Sequence, residues 1–387
     1  MSTVVFNGSA VRSAGQRRAQ FDPWLLGAVA TLILLGIVMV YSASINLAAR
    51  ETGHDTYFLI RHVINTSIGV AVMWLAARSR LELWERSGPI LLIAAIVLLA
   101  AVLIPGVGTH VNGSTRWFRL GGVALQPSEL AKGFMVIYVA GYLIRRQEQL
   151  RYFTQGILMI GIVLAVVGML LLREPDLGTL VVIVTTVLAM LFLGGVRFWH
   201  FLVCIAAGVA AVAVLTLISP YRLERVTGFL NPWADPFNSG FQLVQALIAF
   251  GRGEWFGVGL GASVQKLFYL PAAHTDFLLA VIAEELGFVG VLAVMALFSI
   301  VVYRAFAIAR AAERVGQIYG ARLAQGGGLL IGLQAMINMG VNLGVLPTKG
   351  LTLPLMSYGG SSMVSSCFVV GLILAVDRTT RQAGGGA

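Results

Sequence analysis

The residues of this chain most able to do chemistry gather around one carboxylate. Asp276 follows His274 and Thr275 and stands just before a long apolar run. A lone acid there can serve as a general base or cap the helix that follows. Lys266 precedes it closely, at the end of a stretch that begins Gly251-Arg252-Gly253-Glu254-Trp255-Phe256-Gly257-Val258-Gly259-Leu260-Gly261. Those glycines resemble a nucleotide loop only superficially, because no strand leads into them and no Lys-Ser or Lys-Thr pair closes them. They suit tight turns, or close approach of backbone to a ligand.

Other candidates lie far away in the chain. Asn112-Gly113-Ser114-Thr115-Arg116-Trp117 sets an arginine beside an aromatic, either an interfacial anchor or a clamp on an anionic headgroup. Gln126-Pro127-Ser128-Glu129-Leu130-Ala131-Lys132 opens a helix on a proline, with Glu129 and Lys132 spaced i,i+3. That pair is either a structural ion pair or a phosphate site. Glu174-Pro175-Asp176 offers two carboxylates, for which capping the next helix is a simpler use than metal binding. Lys349, between Pro347 and Pro354, precedes Ser357-Tyr358-Gly359-Gly360-Ser361-Ser362. Gly- and Pro-interrupted membrane helices line cavities, although small residues also let two helices pack closely. Lys266, His274, Lys349 and Ser361 join Arg116, Glu129 and Lys132 as candidate substrate-binding positions, and Asp276 stands as a candidate catalytic one.

The elements that must carry these residues are membrane helices. Of 387 residues, 58% are hydrophobic and only 11% charged, too few to coat a soluble surface. Apolar runs near Pro23–Ala43, Phe58–Ala77, Gly88–Ile104, Pro127–Ile144, Thr154–Leu172, Gly178–Gly194, Phe198–Ile218, Phe277–Tyr303, Gly326–Leu346 and Leu355–Val376 predict about ten spans. The expected fold is therefore an all-α integral membrane protein. Lys and Arg favour the tails and even loops over the odd ones, which puts both termini in the cytoplasm. The domain reading is a cytoplasmic tail over 1–21, one polytopic domain over 22–377 with a large outer loop over 219–276, and a second tail over 378–387.

In that loop Phe229, Trp233, Phe237, Phe241, Trp255, Phe256, Phe268 and Tyr269 are expected to be buried, and Phe241–Phe250 reads as a short amphipathic helix. Counting back about 20 residues from Tyr303 sets the membrane boundary near Glu284. A straight helix then raises Asp276 about 12 Å above it. The net charge of +10 is scattered through short loops, which argues for topology and lipid headgroups and against nucleic acid. Cys204 and Cys367 both sit in apolar runs, as small hydrophobes rather than a disulfide or metal site.

At these residues the sequence resembles the SEDS family of shape, elongation, division and sporulation proteins, and its division branch rather than its elongation branch. The resemblance is carried by Arg252–Gly261, Ser263–Pro271, Asn338–Asn342 and Leu346–Pro354, and runs from about Phe21 to Arg381. It implies a peptidoglycan glycosyltransferase that polymerises lipid II into β-1,4 strands during septal synthesis, inverting the donor anomeric carbon. It implies that Asp276 is the family's essential aspartate, that Arg116 is its loop arginine, and that Glu129 and Lys132 are its embedded pair. It further implies a divalent cation, Mg²⁺ or Mn²⁺. The implied partners are the nascent strand, a class B penicillin-binding protein of the FtsI type, and regulators of the FtsQ, FtsL and FtsB type. The implied location is the bacterial inner membrane at the septum, with the active site on the outer face. A lipid II flippase and a non-catalytic scaffold are the competing readings.

Overall fold

A computed structural model describes residues 21–111, 114–120, 123–238, 240–267 and 270–384. The expected N-terminal tail, except Phe21, and the aromatics Phe268 and Tyr269 lie outside them. Each of the ten apolar runs falls on a helix: α1 (Pro23–Thr52), α2 (Tyr57–Arg78), α3 (Leu81–Val102), α4 (Pro127–Arg145), α5 (Leu158–Arg173), α6 (Leu177–Leu193), α7 (Phe198–Ile218), α10 (Leu278–Arg314), α11 (Ile318–Asn342) and α12 (Gly360–Gly384). Two more, α8 (Pro220–Leu230) and α9 (Phe241–Gly253), lie in the long loop.

Local chemistry explains where these helices begin and end. Asp22 accepts from the Leu25 amide at 2.9 Å and Pro23 fills the first turn of α1. Gly53, with φ 73°, closes it. Asp22 also binds Arg304 of α10 and Arg381 of α12, so three helices are tied at one end of the bundle. Helix α12 continues past the expected span end to Gly384, and Arg378 donates to the carbonyls of Arg78 and Ser79.

Seven of the helices are long and apolar enough to cross a membrane, and α6 is a shorter apolar one. The two exceptions, α4 and α11, form the middle of the bundle. Glu129 and Lys132 of α4 and Gln334, Asn338 and Asn342 of α11 are all buried. Polar side chains within a span turn inward, so these helices are less apolar because other helices shield them. In α7, by contrast, no residue is fully buried, and most of its surface is left for lipid while Phe201 leans on Phe192 of α6.

Two features depart from expectation. A small antiparallel sheet, β1 (Thr109–Val111), β2 (Ser114–Leu120) and β3 (Val123–Leu125), fills the connection between α3 and α4. Strands can form there because a loop outside the hydrocarbon can leave edges in water. Helix α10 is also not straight: Gly287, at φ 68° and ψ −167°, breaks it, so a height for Asp276 extrapolated along a straight helix does not apply.

The long loop repairs that break. Val258 and Gly259 donate to the Glu284 and Glu285 carbonyls at 2.9 and 3.1 Å, while Phe288 and Val289 donate to Glu254 and Trp255 at 2.9 and 3.1 Å. The backbones meet so closely that a Cβ on Gly257 would stand 2.2 Å from the Glu285 carbonyl oxygen. The glycine run thus serves backbone contact with a helix, one of the uses foreseen for it, with protein in place of ligand. Among the described aromatics of the loop, Phe229 and Phe241 are half-buried, whereas Trp233, Phe237, Trp255 and Phe256 are exposed, correcting their expected burial. Phe288 lies about 24 Å along the helix from Arg304, near the far edge of a hydrocarbon slab, where exposed aromatics meet lipid rather than water.

Candidate active site

Asp276 sits at the junction of the long loop and α10. The amides of Thr275, Asp276 and Phe277 converge on the Ala272 carbonyl at 3.1 to 3.3 Å, turning the chain just before the helix. Asp276 does not cap α10, whose N-cap position carries no side-chain bond. Asn342 of α11 does that work, accepting from the Ala280 amide at 3.2 Å. The carboxyl is thereby left free for other use. Loop Pro347–Pro354 passes beside it so closely that a Cβ on Gly350 would lie 3.2 Å from Asp276 Oδ2. Burial pushes the Asp276 carboxyl up to about 7. Arg116 and Arg225 pull it down, Asp176 pushes it further up, and Thr275 lowers it through a hydrogen bond.

Sequence reasoning missed the support beneath it. Gln334, Asn338 and Asn342 repeat every four residues and form one face of α11, about 6 Å apart per step. Asn342 and Asn338 donate to the Asp276 carbonyl at 3.0 and 2.9 Å, and Asn338 also reaches the Leu351 carbonyl. Gln334 donates to the Thr352 carbonyl at 3.1 Å and accepts from Lys132 at 2.7 Å. This ladder holds Asp276, the Pro347–Pro354 loop and Lys132 in one frame. Its signal in the sequence is the i,i+4,i+8 spacing of amides in an apolar helix.

Arg116 of β2 belongs to the upper tier of the site. Its Nε and Nη2 donate to the Glu174 and Pro175 carbonyls at 2.7 and 2.6 Å, which fixes the guanidinium while most of its five N–H bonds remain for other acceptors. Asp176 caps α6 through the Thr179 amide at 3.1 Å, and also accepts from Thr179, Ser128 and Gln126. Glu174 is fully buried, with neither carboxyl oxygen hydrogen-bonded.

The lower tier is closed. Lys132, 2% exposed, pairs with Glu129 at 2.8 Å and with Gln334. A cavity of about 10 Å³ beside Lys132, Gln334, Ser365 and Ser366 has room for one water. The ladder sets this pair two turns of α11, about 12 Å, from Asn342.

The remaining expected binders serve the walls. Lys266 donates to Glu285 at 2.8 Å, Ser42 at 2.9 Å and the Gly261 carbonyl at 2.7 Å, which uses all three of its N–H bonds. In this structure Lys266 ties the loop to α1 and α10. His274 lies against Phe58 and Tyr358 with centroids 4.9 and 5.4 Å away, and burial pulls its imidazole down to about 4, leaving it neutral. Ser361 accepts from the Gln126 amide at 2.8 Å and donates to the Ala124 carbonyl, joining α12 to the entrance of α4. Lys349 is half-buried in the loop beside Asp276.

The donor set does not fit a resident divalent cation. Among the described residues no three of His, Cys, Asp and Glu stand together as a possible cage. Near Asp276, the Asp176 oxygens are engaged in the α6 cap, and burial with the neighbouring Asp176 pushes Glu174 up to about 8.

Known proteins place this architecture. Two curated relatives, from Nitrosococcus halophilus and Thioalkalivibrio sulfidiphilus, are each named a probable peptidoglycan glycosyltransferase FtsW. The first is 57% identical, covering 96% of both chains, and the second 54%, covering 97% of this chain and 95% of its own. A chain from a structure of a peptidoglycan synthase complex coordinating polymerization and crosslinking superposes with a TM-score of 0.75 at 31% identity, over 94% of this chain and 99% of that one. Thermus thermophilus rod shape determining protein RodA gives a TM-score of 0.67 at 30% identity, over 92% and 97%. The family model described as cell cycle protein, FTSW_RODA_SPOVE, matches residues 23–382, and the chain belongs to that family.

Proposed function

We propose that this chain is a peptidoglycan glycosyltransferase that polymerises lipid II into β-1,4 glycan strands, with Asp276 as its general base. The observation that carries the role of Asp276 is its release from capping: Asn342 takes the Ala280 amide, and the carboxyl lies beside Gly350 and within the field of Arg116. In the reaction, the 4-hydroxyl oxygen of the acceptor sugar attacks the anomeric carbon of an α-linked donor. The bond from that carbon to the diphosphate oxygen breaks, and its electrons leave with the diphosphate. Asp276 receives the hydroxyl proton. One inverting displacement needs no covalent intermediate. A base whose affinity for the proton is raised to about 7 is matched to neutral pH.

Arg116 supplies positive charge to the leaving diphosphate through the N–H bonds its two carbonyl contacts leave over. A divalent cation, Mg²⁺ or Mn²⁺, remains the expected cofactor and would add positive charge at the diphosphate beside Arg116. The chain works beside a class B penicillin-binding protein that cross-links its product, under regulators of the FtsQ, FtsL and FtsB type. Its Asp276 end faces outward at the division septum, and the residue bounds 1–21, 22–377 and 378–387 divide it into tail, membrane domain and tail.

The test is reconstitution of the purified chain with fluorescent lipid II, with and without the cross-linking partner. Polymer ladders that vanish in Asp276→Ala support the reading. Translocated label without polymer identifies a flippase, and neither result identifies a scaffold.

A further inference from the structure

Glu174 has no part in the mechanism above, yet it is the least accommodated acid among the described residues. It is 0% exposed and both of its carboxyl oxygens lack a hydrogen-bond partner. Burying a polar group without a partner is costly, and such a group calls for an explanation in the protein's chemistry. The turn itself gives none. Asp176 caps α6, and Arg116 is held by the main-chain carbonyls of Glu174 and Pro175, which any residue would supply. The side chain is therefore idle in the structure as it stands.

It shares two charged neighbours with Asp276. Arg116 from β2 and Asp176 from the α6 cap both act on Glu174, and the same two groups act on Asp276. We propose that Glu174 is the second acid of this site, its O–H donating a hydrogen bond to a diphosphate oxygen of the substrate beside the Arg116 guanidinium, which already sits on the Glu174 carbonyl. The proposal rests on the lipid-diphosphate reading of the function. Burial first, and the neighbouring Asp176 second, push Glu174 up to about 8 against the pull of Arg116, so at neutral pH it keeps its proton and is a donor. An ionised carboxylate at this place would repel a diphosphate, whereas a neutral acid adds a donor to the charge that Arg116 supplies. Asp276 and Glu174 then divide the labour of one displacement: one accepts the incoming proton and the other holds the departing group.

The experiment measures lipid II polymerisation by the full chain with its cross-linking partner, from about pH 6 to about pH 9.5, alongside thermal melting. Wild type is expected to lose turnover above about pH 8. Glu174→Ala should cost about tenfold or more, with a raised KM for lipid II, and should melt no lower than wild type because it removes an unpartnered acid. Glu174→Gln keeps a neutral donor, so it should recover most of that loss and lack the alkaline fall. Inactivity of Glu174→Gln equal to that of Glu174→Ala, or survival of the alkaline fall in Glu174→Gln, overturns the proposal while the polymerase reading stands. So does a parallel loss of melting temperature and activity in Glu174→Ala. A wild type that makes no polymer overturns both.

Discussion

Two pairs of acids in this protein are treated in opposite ways. Glu284 and Glu285, adjacent on α10, are fully buried and generously partnered. Glu284 accepts from Ser263, from the Val264 and Gln265 amides and from Arg252, while Glu285 accepts from Ser42 and Lys266. Glu174 is just as deep but neither of its carboxyl oxygens has a donor, and Asp276, half-buried, has only the Thr275 hydrogen bond to lower it. Acids that are satisfied hold walls together, and acids that are not satisfied are held ready for something that arrives later.

The contrast is broken most severely at Asp276. Asp276→Asn should lower polymerisation on the order of a hundred- to ten-thousandfold with a melting temperature no lower than wild type, measured on purified protein. If Asp276→Asn instead melts lower and keeps its turnover per folded molecule, Asp276 belongs with the wall acids. Next comes Lys266→Met, which strands Glu285. It should cost about 3–5 kcal/mol in stability, read by thermal or chaotrope unfolding, with normal turnover in the surviving folded fraction.

The pH dependence of stability sharpens the same comparison. Asp276 and Glu174 hold protons up to about 7 and about 8 when folded, against 3.8 and 4.5 for the free groups. Between those limits the unfolded chain releases protons that the folded one keeps. These two acids therefore make the protein progressively less stable as pH rises from about 4 to about 8, and add nothing further beyond it. Melting curves across that window should slope downward, and less steeply in Glu174→Gln. Asn342→Ala, which uncaps α10, should cost about 1 kcal/mol and slow polymerisation. Smallest of all, Arg252→Ala should cost under about 1 kcal/mol, because the Arg252 side chain is 44% exposed and Glu284 keeps its other donors.

Much of the frame was legible in the residues. Apolar length identified the spans because lipid imposes it locally, and Asp176 read correctly as a cap because capping needs only a neighbouring amide. The division between site and wall was not legible. Lys266 and Glu285 look as available for substrate as Arg116 does until Ser42, more than two hundred residues away, is seen between them. The break in α10 was hidden because Gly287 lies in an apolar run with no local turn signal, and its partners are the glycines of the loop. Glu174 stood beside a proline like any loop acid. What distinguishes it is the absence of donors around it, and that is a property of the fold alone.

The bonds that bridge Gly287 have a consequence for how the molecule comes apart. The amides of Val258, Gly259, Phe288 and Val289 are each protected by the other segment, so neither can exchange with solvent unless both open. Hydrogen exchange should therefore find the loop and the α10 break opening as one cooperative unit, ahead of the bundle. A cut in the exposed stretch around Trp255 and Phe256 would release two ends of α10 at once. A segment that looks like an appendage between two spans would then be, in kinetic terms, the missing turn of the helix that follows it.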